Sequence, residues 1–214
     1  MRLFLASSDL SFPARGDALA AELAKLAGAG ARTAIVLNAL DDVPDLAREI
    51  RMEDERRSLA TLGADAFELD LRDYYEQPAG LRAALAGVGL VWVAGGNAFT
   101  LRAAMARSGL DVLLVELLAE DSVAYGGYSA GACAAGPMLR GTDLVDDGGA
   151  GEEPLWGGLG LVDFSIVPHY RSGGADSDDF ERIAAHLKLR GLAHRVLRNG
   201  QAIVVAGGSI SLHE

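Results

Sequence analysis

The stretch SVAYGGYSAGA, residues 122–132, runs an apolar segment into paired glycines, then a lone serine, then small residues suited to opening a helix. Ser129 sits at the centre of Gly127-x-Ser129-x-Gly131, the nucleophile-elbow pattern, in the strand–turn–helix setting that gives the pattern its meaning. Glycine at 127 and 131 keeps Cβ atoms away from a sharp turn and leaves the hydroxyl exposed at the end of a strand. The helix start behind it aims free N–H groups at any developing negative charge. An N-cap serine in a glycine-rich turn is the plainer alternative, and the flanking strand and helix are what weigh against it.

Outward from this turn, short apolar strands alternate with helical periods. RLFLAS (2–7), TAIVLN (33–38), AFELDL (66–71) and GLVWVAGG (89–96) read as strands. Between them lie a helix carrying Leu19, Leu23 and Leu26 and ended by Gly28 and Gly30, a charged amphipathic helix from about Pro44 to Leu62, and a short helix at 81–87. Helices at 97–107 and 110–119 precede the serine turn. This alternation predicts right-handed crossovers and an α/β fold with a doubly wound, mostly parallel sheet covered on both faces. In such sheets ligands bind beyond the carboxyl ends of the strands. GGNAF (95–99) and GGYSAGA (126–132) mark two such ends. Residues 141–160 lack periodicity and read as a long loop, followed by a strand through VDFSIVPHY, a helix near 178–189 and a closing hairpin turned by Asn199-Gly200.

The 214 residues, half of them hydrophobic, suit one compact domain spanning 1–214. A net charge of −11 and a pI near 4.8 argue against nucleic-acid or anionic-membrane partners. One cysteine excludes an internal disulfide, and the scattered histidines give no zinc signature, so neither metal nor cofactor is expected. No run approaches the ~20 apolar residues that span a bilayer, nor is there a cleavable leader pattern, and a cytoplasmic location is the default expectation.

A serine hydroxyl needs a base. His186, His194 and His213 lie in a helix, at the start of a hairpin and beside the last residue. His169 ends the apolar segment SIVPHY and would reach the edge occupied by Ser129 if its strand joins the sheet in parallel. Too little chain follows Ser129 for an α/β-hydrolase. Cys133, four residues on, reads as a small buried residue behind the serine.

VAGGNAFTL (93–101), GGYSAGA (126–132) and GLGLVDFSIVPHY (158–170), in this order, resemble peptidase family S51, which holds dipeptidase E and cyanophycinase. The resemblance covers nearly the whole chain. It implies a three-layer sandwich of the class I glutamine amidotransferase type, with Ser129 as nucleophile, His169 as base, and the amides of Gly96 and Ala130 as oxyanion hole. It also implies hydrolysis of short peptides through an acyl-enzyme, by a monomer or homodimer. Asp143 is the third triad member it suggests. Asp146, Asp147 and Asn199 compete for that role, Asn199 standing where some relatives carry a glutamate. Asn97 caps a helix or touches substrate, and Arg171 is a candidate for binding a substrate carboxylate, as an aspartyl dipeptidase requires. A cyanophycinase-like or esterase-type hydrolase and an inactive amidotransferase-like binding protein are the alternative readings.

Overall fold

The computed structural model describes residues 1–11, 16–148, 153–173 and 177–214. Strands β1 (Arg2–Ala6), β2 (Arg32–Val36), β3 (Asp65–Glu68), β4 (Leu90–Val93) and β5 (Ala124–Tyr128) are parallel, in the order β3-β2-β4-β5-β1. β6 (Ser165–Val167) and β7 (His194–Val196) form a separate parallel pair. β8 (Ala202–Ala206) lies antiparallel to β1 and β9 (Ser209–His213) antiparallel to β8, which completes a seven-stranded sheet.

Successive side chains of a strand point to opposite faces, so each central strand feeds two cores. Leu3, Leu5, Val36, Val91 and Val93 pack toward α3 (Pro78–Ala84), α4 (Ala98–Ser108), α5 (Leu110–Ala119) and α6 (Ala130–Ala134). Phe4, Ala6, Ile35 and Trp92 pack toward α1 (Gly16–Ala27) and α2 (Asp45–Ala60). Leu19, Leu23 and Leu26 are the buried stripe of α1, each worth ~1.5–3 kcal/mol of apolar burial. This is the three-layer α/β sandwich that the strand–helix alternation predicts. α7 (Ser177–Leu189) covers the small sheet with Phe180, Ile183 and Leu187 against Val167.

Two expectations need correction. The strand leading to His169 does not join the main sheet but pairs with β7 outside it. Asn199-Gly200 is a turn, yet the strands it joins do not pair with each other: β7 stays with β6, while β8 goes to β1. The hairpin at this end is β8–β9, turned at Gly207-Gly208. Local turn chemistry was legible here, but long-range pairing decided the partners.

Within the predicted loop 141–160, residues 149–152 lie outside the described residues, and the part before them is tied to α4. Asn97 caps that helix, its Oδ1 accepting from Phe99 and Thr100 N–H at 2.9 and 3.1 Å. Asn97 Nδ2 donates to Asp147 Oδ1 at 2.9 Å. Asp146 Oδ2 accepts the Ala98 N–H at 2.9 Å. Burial pushes the Asp146 carboxyl up to about 6, against the pull of the Ala98 N–H and with help from neighbouring Asp147. The folded chain therefore holds this proton more tightly than the unfolded chain. The associated stability is present below pH ~4 and is lost as pH rises through about 6, a change of ~1–3 kcal/mol. Asp146→Asn should melt several degrees above wild type at pH 7 and level with it at pH 4, in thermal melts followed by circular dichroism. An equal offset at both pH values would mean that Asp146 does not titrate in this window.

Candidate active site

The turn after β5 is strained. Ser129 has φ 51° and ψ −116°, a region that costs a non-glycine residue on the order of 1–3 kcal/mol and persists only where its surroundings enforce it. Here the Ser129 N–H donates to Ala6 O at 3.1 Å and its carbonyl accepts from Cys133 N–H at 2.9 Å. The buried Tyr125 hydroxyl donates to Gly131 O. A Cβ at Gly131 would come within 2.3 Å of Val93 O, and one at Gly127 within 2.8 Å of the Gly131 carbonyl carbon. Only glycines let α6 start this close to the sheet, and that approach turns the serine outward.

His169 follows β6 through Pro168 and itself has φ 54°. Its Nε2 lies 3.0 Å from Ser129 Oγ, and its Nδ1 lies 2.7 Å from Asn199 Oδ1. An amide oxygen only accepts, so this contact puts the ring proton on Nδ1 and leaves the Nε2 lone pair facing the serine hydroxyl. The Phe180 ring packs edge-on against the imidazole, with centroids 5.0 Å apart. Ser7, fully buried just past β1, joins the parts: its Oγ accepts the His169 N–H at 2.7 Å and lies 3.1 Å from Asn199 Oδ1. Asn199 N–H in turn donates to Ser172 Oγ at 2.9 Å. A hydroxyl, an imidazole and an acceptor in series can pass a proton from oxygen to nitrogen and orient the resulting imidazolium.

The glycines after β4 lie directly beside this serine. A Cβ at Gly95 would sit 2.9 Å from Ser129 Cβ, and one at Gly96, where φ is +143°, 2.3 Å from Ala39 O. Among the described residues, neither the Gly96 N–H nor the Ala130 N–H donates to a protein acceptor. Both lie in the turns that flank the serine, Gly96 after β4 and Ala130 directly after Ser129.

The other anticipated residues fall elsewhere. Asp143 is exposed on a short 3₁₀ turn, where its Oδ1 accepts the Gly141 N–H at 3.0 Å, and the place beside Nδ1 that sequence reasoning gave it is held by Asn199. Asp147 is engaged by Asn97, away from the histidine. Arg171 pairs with Glu181 of α7 at 3.2 Å, with its side chain 58% exposed. Cys133 is buried with its thiol pushed up by desolvation, and it donates to Ile166 O at 3.4 Å. Ser7 and Gly95 were missed. A serine closing a strand as buried as β1 was the available signal for the first. Gly95 was visible only as half of a pair. Among the described residues, no cluster of three potential metal ligands occurs and no helix is long and apolar enough to cross a membrane.

The model of the family described as "Peptidase family S51" matches residues 3–213. Over 142 residues, 66% of this chain and 52% of the relative, the sequence is 38% identical to peptidase E of Streptomyces coelicolor. It is 32% identical over 122 residues to an uncharacterized peptidase of Listeria innocua, covering 56% of this chain and 57% of that one. The matched stretches thus span only about half the length of these curated relatives. A crystal structure of a protein from Listeria monocytogenes EGD-e, provisionally described as a peptidase E, superposes with a TM-score of 0.79 at 23% identity, covering 99% of this chain and 97% of that one. A peptidase from an acI-B1 actinobacterium gives a TM-score of 0.70 at 16% identity, with 99% and 86% covered. At these identities the two structures speak for the fold alone. The family match across nearly the whole sequence carries the assignment: this chain belongs to peptidase family S51.

Proposed function

We propose that this chain is a serine peptidase for short peptides, working as one catalytic domain with Ser129 as nucleophile. The observation that carries this reading is the aligned series Ser129 Oγ, His169 Nε2 at 3.0 Å and Asn199 Oδ1 at 2.7 Å from Nδ1. His169 Nε2 takes the hydroxyl proton as Oγ bonds to the scissile carbonyl carbon. The carbonyl oxygen, now an oxyanion, is received by the Gly96 and Ala130 N–H groups, an interaction worth several kcal/mol in the transition state. The imidazolium returns its proton to the leaving amine as the C–N bond breaks. Water, deprotonated by the same nitrogen, then releases the acyl group and restores Oγ–H. Asn199 keeps the ring in the required tautomer throughout, a role open to a neutral amide.

Substrate choice follows from what lies beside Gly96. A cavity of about 340 Å³ there is lined by Ala39, Leu40, Asp42, Val43, Gly96, Asn97 and Asp147, a volume that suits a short peptide segment. It carries two carboxylates, while Arg171 is engaged by Glu181. This charge distribution favours peptides with neutral or cationic ends over a preference for N-terminal aspartate.

In a dipeptide panel, wild type should cleave Leu-X and Lys-X at least about tenfold faster than Asp-X, and Ser129→Ala should lose on the order of 10⁴-fold or more in rate. Retained turnover in the folded alanine variant would end the serine reading, and preferred cleavage of Asp-X would end the specificity reading. Substitutions behind the histidine separate the candidates for third member. Asn199→Ala should cost ~10²-fold in kcat, because the tautomer is no longer held. Asn199→Asp should keep wild-type activity or exceed it, since a carboxylate accepts the same N–H. Asp143→Asn should stay within about twofold. A large loss in Asp143→Asn with little in Asn199→Ala would reverse the assignment.

A further inference from the structure

Glu55 lies on α2 in the core between the sheet and that helix, 2% exposed. Burying a carboxylate there is costly unless strong donors meet it. Two do: Oε1 accepts the Tyr128 hydroxyl at 2.6 Å, and Oε2 accepts the Trp92 Nε1–H at 2.8 Å. The Trp92 and Tyr128 rings also contact each other, with centroids 5.9 Å apart. Burial raises the carboxyl pKa, and these two hydrogen bonds oppose the rise. Both partners are donors, so a group accepting on both oxygens satisfies them together, whereas an apolar residue of the same size would leave both unpaired.

The two donors occupy informative positions. Tyr128 is the last residue of β5 and directly precedes Ser129 at its strained φ of 51°. Trp92 lies in β4, the neighbouring strand, which runs on into Gly95 and Gly96. One carboxylate therefore ties together the two strand ends that bear the serine and the glycine amide. A Cβ at Gly95 would also lie 2.9 Å from the Tyr128 ring, so tyrosine and glycine loop are in close register. We infer that Glu55 is a positioning residue: through Tyr128 and Trp92 it sets where Ser129 stands relative to the Gly96 N–H. This rests on the reading of Ser129 as nucleophile. If Glu55 only filled the core, its loss would lower stability without changing the reactivity of each folded molecule.

The test measures the rate of Ser129 phosphonylation by a fluorophosphonate, by intact mass, alongside a thermal melt. Wild type should label and Ser129→Ala should not. Glu55→Met and Tyr128→Phe should still melt cooperatively but label about tenfold more slowly or worse, and the double variant should be no slower than the slower single one, because both remove the same tie. Labelling within twofold of wild type in either folded single variant would overturn the inference, as would losses that multiply in the double variant. Should Glu55→Met fail to fold, Tyr128→Phe, which removes only a hydroxyl, decides alone. A wild-type protein that does not label at Ser129 would overturn the nucleophile reading, and this inference with it.

Discussion

The constraint on which this site depends is the backbone of one residue. Ser129 is held at φ 51°, ψ −116°, and a residue there would relax unless both flanks were pinned. The Ala6 carbonyl holds its N–H, Cys133 N–H holds its carbonyl, and Tyr125 and Tyr128 anchor the segments after and before it to opposite cores. Glycines at 127 and 131 provide the clearance, since a Cβ at either would strike backbone. The result is a hydroxyl raised above the sheet with an unpaired Ala130 N–H beside it. A flexible turn could present the same groups only part of the time, with a matching loss of orientation.

The second feature is the neutral residue behind the imidazole. Asn199 supplies an acceptor without a charge, so the histidine is oriented without the electrostatic support that a carboxylate gives an imidazolium. The surroundings compensate in geometry. Ser7 Oγ contacts both the His169 backbone and the Asn199 side chain, Ser172 holds the Asn199 backbone, and Phe180 backs the ring. In this way three separate segments, the ends of β1 and β6 and the β7–β8 turn, converge on a histidine that no strand of the main sheet carries.

How much of this was legible depends on the range of the interaction. The parallel α/β sandwich followed from alternating apolar strands and helical periods, because those patterns are local. The serine turn was equally readable, since Gly127-x-Ser129-x-Gly131 records its own steric need. The strand pairing of β6 with β7 was not, because short apolar strands look alike until tertiary contacts assign them. Asp143 looked suitable by sequence proximity to the expected position, yet a short 3₁₀ turn directs it to Gly141 N–H. Arg171 could be read as a carboxylate binder or as a solvated arginine paired with a nearby acid, and its ion pair with Glu181 follows the second reading. Ser7 and Glu55 were harder to read for the opposite reason: Ser7 holds the His169 N–H 162 residues away and Glu55 the Tyr128 hydroxyl 73 residues away. The buried end of β1 hinted at a polar role for Ser7 without naming its partners, and nothing near Glu55 announced its own.

The central claim is that a single serine, activated by His169, delivers its oxygen to a carbonyl whose developing charge falls between the Gly96 and Ala130 amides. A crystal structure of the protein after reaction with diisopropyl fluorophosphate tests this most directly, because the phosphoryl oxygen of the adduct stands in for the oxyanion. The account predicts a single adduct on Ser129 Oγ, with that oxygen accepting both N–H groups at ordinary hydrogen-bond distance. An adduct on another residue, or one on Ser129 whose oxygen turns away from both amides, would contradict it.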